Sequence, residues 1–178
     1  MNKKTLNSEL DRLTIEEFKS EEKSPLIVIL DNIRSLANIG SVFRTSDAFR
    51  IEKIYLCGYT ATPPNKDIAK TALGATKSMD WEHREDILEL IEELKSENVE
   101  VYSIEQTSDS IMLDEFQPKK DIKTAVIFGN EVQGVQQTVI DVSTGVIEIP
   151  QIGTKHSLNI SVSNGVVLWD LFAKLKNN

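Results

Sequence analysis

The 178-residue sequence predicts a single α/β unit: a mostly parallel sheet with helices on both faces. Three observations carry that expectation. PLIVIL (25–30) and TAVIFG (124–129) are continuous apolar runs, as in strands buried on both faces. REDILELIEELKSEN (84–98) has helical period, with Ile87, Leu90, Ile91 and Leu94 as its inward stripe. Helical segments separate most of the strands, and such crossovers pair strands in parallel.

Taken in order, Leu6, Leu10, Leu13 and Phe18 suggest a short N-terminal helix or helix pair, and TIEE (14–17) fits a capping box. Residues 1–24 therefore form a helical extension before a domain spanning 25–178. PLIVIL is the first strand. NIGSVFRTSDAF (38–49) follows as a helix, with Asn38 suited to cap it. KIYLCG (53–58) is a strand, and the two prolines of ATPPNKD (61–67) mark a loop. A short helix near 66–73, a segment around Met79–Trp81 and the helix 84–98 lead to the strand VEVYSI (99–104). TAVIFG and GVIEIP (145–150) complete the strands, and a final helix covers 158–175. In that helix Leu158, Val162, Val166 and Trp169 share a face, yet its first turns hold the poor helix formers Ser157, Asn159, Ser161, Ser163, Asn164 and Gly165.

Composition narrows the function. No run approaches the ~20 apolar residues of a membrane span, and the N-terminus lacks the apolar stretch of a signal peptide. Cys57 alone cannot form an internal disulfide, and with His83 and His156 it makes a poor metal set. A cytoplasmic protein without a metal is the expectation. The net charge of -8 argues against a nucleic-acid partner at first. Six acids lie in residues 1–22 and eight in 82–100, however, and the remaining body balances 14 acids with 14 Lys/Arg. An RNA-binding face is thus permitted.

In such folds ligands gather at the carboxyl ends of the strands. Here those ends read LDN (30–32), SIEQ (103–106), FGNE (128–131) and EIPQ (148–151). Three stretches carry chemistry. In the first, Asn32, Asn38 and Arg44 are polar groups in a segment that otherwise reads as core, and Arg44 can reach back toward the start of its helix. In the second, Gly129 and Gly134 flank Asn130 and Glu131, where glycine lets a backbone approach a ligand. Neither a G-x-G-x-x-G nor a G-K-[ST] occurs, so dinucleotide-fingerprint and P-loop readings fail. In the third, Ser157 and Asn159 can cap a helix whose slim turns permit close backbone packing, and donors near Ile149 and Leu158 could bracket a flat ring. Each stretch alone also fits a capped helix, a tight βα turn or an ordinary Ser-rich helix start.

Together, in this order, they resemble the SpoU (TrmH-like) branch of the SPOUT RNA methyltransferases. Asn32, Asn38, Gly40 and Arg44 match its first motif, and Gly129, Glu131 and Gly134 its second. Ile149, Pro150, Ser157, Leu158, Asn159, Ser161 and Gly165 match the third. Ile33 departs from the proline many relatives carry, and TALGA (71–75) looks like a segment of the tRNA D-loop guanosine methylases.

The resemblance implies a C-terminal trefoil knot, which physical reasoning would not suggest because knots are very rare. It implies S-adenosylmethionine as cofactor, held by Ile104, Gly129, Ile149, Ser157 and Leu158. It further implies a homodimer with its active site near the subunit interface. The reaction would be methyl transfer to a ribose 2′-hydroxyl, in tRNA ahead of rRNA, with Arg44 as leading catalytic residue. Asn38, Glu131, Ser157 and Asn159 would support it. The rival readings are a non-catalytic RNA-binding relative and a flavodoxin-like nucleotide- or flavin-binding protein. No appended RNA-binding module is visible, so recognition would fall to surface cations such as Arg34, Lys66, Lys70 and Lys77.

Overall fold

A computed structural model describes residues 2–6, 9–10, 12–155 and 157–177. Seven strands form one sheet, paired in parallel throughout: β1 (Ser24–Asp31), β2 (Ile51–Cys57), β3 (Trp81–Arg84), β4 (Glu100–Ile104), β5 (Ile111–Met112), β6 (Thr124–Phe128) and β7 (Gly145–Glu148). Their spatial order is β3-β2-β1-β6-β4-β7-β5. The helices are α1 (Ile15–Ser20), α2 (Leu36–Ala48), α3 (Lys66–Ala72), α4 (Ala75–Ser78), α5 (Ile87–Ser96), α6 (Gln137–Val142) and α7 (Ile160–Asn177).

The α/β reading of the sequence holds because β1 and β6, at the sheet's centre, alternate their apolar residues between two covered faces. Leu26, Val28, Leu30, Val126 and Phe128 point into one core with Ile39, Phe43, Leu168 and Leu171. Ile27, Ile29, Ala125 and Ile127 point into the other, with Ile87, Leu90, Ile91 and Leu94 of α5. Each Val, Leu, Ile or Phe among them, fully buried, contributes roughly 1.5–3 kcal/mol. Gly40 lets α2 and α3 touch: a Cβ there would lie 2.2 Å from the Ile68 carbonyl oxygen.

Several expectations need correction. Among the described residues the leading segment forms α1 and, ahead of it, one tight turn in which the Glu9 N–H donates to the Leu6 carbonyl at 2.9 Å; Leu6, Leu10 and Leu13 are exposed, and Asn7, Ser8 and Asp11 lie outside the described residues. The Thr14 capping box forms as read, and Phe18 is buried in the core. Ser35, not Asn38, caps α2, because its hydroxyl already accepts the Asn38 N–H at 3.3 Å. The segment after Met79 becomes β3, and Arg84 belongs to that strand rather than to α5. β5, two residues long at the sheet edge, carries no periodicity to read. The last helix begins at Ile160, not Leu158.

Helix α7 also turns differently from the simplest reading. Its covered side is Ile160, Asn164, Val167, Leu168 and Leu171. Leu158, Val162, Val166 and Trp169 are 41, 50, 39 and 59 % exposed. A Cβ at Gly165 would meet nothing within 4 Å, so that glycine serves no close backbone packing within the chain itself.

Candidate active site

The carboxyl ends of β4, β6 and β7 open onto a cavity of about 590 Å³. Ile104, Gly129, Ile149, Ser157 and Leu158 all line it, together with Glu131 and Asn159. The strand-end polar residues Glu105, Gln106, Asn130 and Gln151 line it too.

The loop after β6 is built by its own side chains. Asn130 Oδ1 accepts the Val132 and Gln133 N–H groups at 2.9 and 3.1 Å, an Asx turn that folds the chain back. Gly134 has φ of 68°, a left-handed conformation that costs glycine little. A Cβ on Gly129 would lie 2.3 Å from the Gly134 carbonyl carbon, so the loop can close only with glycine there. Asn130 Nδ2 donates to the Asn32 carbonyl at 2.9 Å and to the Tyr59 hydroxyl at 2.7 Å, which ties the loop to the ends of β1 and β2.

That fold places Glu131 against the start of α2. One carboxylate oxygen accepts the Arg34 N–H at 3.0 Å; the other accepts the Ser35 N–H at 3.0 Å and Asn38 Nδ2 at 3.2 Å. Burial pushes the Glu131 pKa up, but these donors outweigh it and hold the carboxyl below its ordinary value. Asn38 Oδ1 in turn accepts Asn159 Nδ2 at 3.3 Å. Asn159 Oδ1 accepts the Ser161 N–H at 2.9 Å and so caps α7. A single hydrogen-bonded chain, Glu131–Asn38–Asn159, therefore joins the three motifs at the cavity.

Two residues in the site had no role assigned to them from the sequence. Asn130 is the loop's hinge pin, as above. Glu105 Oε2 accepts the Val135 N–H at 3.0 Å, and its Oε1 accepts the Gln106 N–H at 2.9 Å. A Cβ on residue 134 would strike that Oε2 at 2.2 Å.

Arg44 stands apart. It does not reach back to the start of α2: Leu36 lies about 12 Å away along the helix axis at 1.5 Å per residue. It is exposed and lines a second hollow of about 540 Å³ with Ser41, Thr45, Phe49, Lys70 and Thr71. Among the described residues its guanidinium has no hydrogen-bond or ion-pair partner. The Phe49 ring in that hollow lies 5.9 Å from Trp169 and 5.3 Å from Phe172, so the hollow adjoins the outer face of α7.

Among the described residues no three His, Cys, Asp or Glu side chains cluster as metal ligands; His156 lies outside them. Burial, with Asp31 nearby, pushes the Cys57 thiol up to about 12, so its reactive thiolate form is suppressed. No described helix is long and apolar enough to cross a membrane.

Residues 25–169 match the model of the SpoU rRNA Methylase family. The chain belongs to that family. It is 29% identical over 174 residues to an uncharacterized tRNA/rRNA methyltransferase of Borreliella burgdorferi, covering 98% of this chain and 74% of that one. Against TrmH-family relatives from Staphylococcus aureus it spans 63% of their length. Its fold is that of the A. aeolicus TrmH/SpoU tRNA modifying enzyme, with TM-score 0.81, 23% identity, and 92% and 81% of the two chains covered. The SpoU methyltransferase AviRb of Streptomyces viridochromogenes, solved with AdoMet, aligns with TM-score 0.79 at 18% identity, over 90% of this chain and 64% of that one.

Proposed function

We propose that this chain methylates a ribose 2′-hydroxyl in structured RNA with S-adenosylmethionine, with a D-loop guanosine of tRNA as the leading substrate. The observation that carries the reading is the Glu131–Asn38–Asn159 chain at the mouth of a cavity walled by Ile104, Gly129, Ile149, Ser157 and Leu158. The cavity fits the cofactor. About 590 Å³ is within the range of sites for ligands of this size, and a Cβ at residue 129 would close the loop's approach. Ile104, Ile149 and Leu158 offer apolar walls to a flat ring. Bound there, S-adenosylmethionine supplies a methyl group already activated on a sulfonium.

The protein's own task is then to place the hydroxyl and manage its charge. Asn38 and Asn159 hold each other in fixed orientation beside the cavity, and Glu131 secures Asn38 to its loop. Arg44 stabilises the developing alkoxide as a fixed cation. Within one chain it lies off the cavity, in the hollow that adjoins the exposed stripe of α7. A second copy covering that stripe would sit beside Arg44, so the reading includes a homodimer in which Arg44 serves the partner's cavity. It also includes the trefoil threading of the C-terminal segment, and residues 25–178 as the catalytic unit with 1–24 as an extension.

The test is methyl transfer from labelled S-adenosylmethionine to unmodified tRNA and, separately, to rRNA, with the modified nucleoside identified. A 2′-O-methylguanosine in tRNA alone is expected. A base-methylated nucleoside, or label in neither RNA, would contradict the reading. Arg44→Ala should lower turnover at least about a hundredfold while leaving cofactor affinity unchanged.

A further inference from the structure

Among its described residues the main cavity is lined by two carboxylates, Glu105 and Glu131, and by no Lys or Arg. The two differ in what surrounds them. Glu131 is compensated by the start of α2, through the Arg34 and Ser35 N–H groups, and by Asn38. Glu105 meets only the Val135 and Gln106 N–H groups. Those two bonds pin its carboxylate in the wall beside Gly134 rather than leaving it free to swing into solvent. Among the described residues no cation pairs with it.

We propose that Glu105 is a specificity residue that makes this site prefer the sulfonium cofactor over its demethylated thioether product. The inference rests on the methyltransferase reading. In the transfer the methyl carbon leaves sulfur for the ribose oxygen, and the S–C electron pair stays on sulfur as a neutral thioether. The hydroxyl proton passes to solvent. The small molecule thus loses one positive charge while the wall keeps its negative one. The attraction that favoured entry of the cofactor is absent for the product, and the product is released more readily. One unit charge interacting across a partly solvated site of this size amounts to about a five- to tenfold difference in affinity.

Equilibrium binding of S-adenosylmethionine and S-adenosylhomocysteine to wild type and Glu105→Gln tests this without turnover. Glutamine keeps an oxygen to accept the Val135 N–H, so the loop should retain its shape, which a thermal melt checks. Wild type should favour the methylated cofactor. The variant should lose about five- to tenfold of its affinity for that cofactor alone. Equal weakening of both ligands, or no change in either, would overturn the proposal and leave Glu105 a structural clasp. A wild-type preference that does not narrow between low and high salt would also count against it. Wild type that binds neither nucleoside would retire the methyltransferase reading itself, a result separable from the others.

Discussion

Helices α5 and α7 are both amphipathic in sequence, but they meet their surroundings in opposite ways. In α5 the apolar stripe Ile87, Leu90, Ile91 and Leu94 is buried against the sheet, and charged residues face outward. In α7 one apolar side is buried by the chain itself, while Val162, Val166 and Trp169 on the other remain exposed. α5 covers a sheet and needs only one apolar face. α7 covers the sheet and presents a second apolar face, continuous with Phe49 and the Arg44 hollow. In the proposed homodimer this exposed patch is the contact surface.

Trp169→Glu with Val162→Asp should turn dimers into monomers by sedimentation and lower methyl transfer at least about a hundredfold, with little change in secondary structure. If assembly and activity survive, α7's outer face has another use. On the other helix, Leu90→Ala should cost about 2–5 kcal/mol of stability by denaturant unfolding while leaving the association state unchanged.

A smaller effect sharpens the α5 side. Asp31 ends β1, is 1 % exposed and follows Ile27 and Ile29 on the strand face that α5 covers. Burial raises its carboxyl pKa to about 6, against about 3.9 in the unfolded chain. A raised acid pKa means the native state binds more protons than the unfolded state between those values. Stability therefore falls as pH rises from about 4 to about 6, then stays lower. Asp31→Asn should recover about 2 kcal/mol at pH 7 and flatten that part of the pH profile. An unchanged profile would show that Asp31 is not the group responsible.

The same contrast explains what was legible in the sequence. β1, β6 and α5 could be read because burial alone dictates their residue types. α7 is apolar on two sides, so periodicity finds a stripe without saying which neighbour covers it. Asn38 looked like a cap because cap residues and site residues share short polar side chains; Ser35, three positions earlier, had the cap. Ile104, Gly129, Ile149, Ser157 and Leu158, which the resemblance implies for the cofactor, all line one cavity. Asn130 and Glu105 drew no specific role because their partners lie 98 and 30 positions away, in Asn32 and Val135, distances that spacing cannot express. Arg44 was expected within one site, and the single chain places it beside another surface.

The central claim is that the active site is completed between two copies. Its most direct measurement is methyl transfer by an equal mixture of Arg44→Ala and Glu131→Ala proteins, exchanged to form mixed dimers. Each protein alone should be inactive. Half the dimers formed would be mixed, each with one site that takes Arg44 from one copy and Glu131 from the other. The account predicts about a quarter of wild-type activity in the mixture. A mixture as inactive as its components would contradict it.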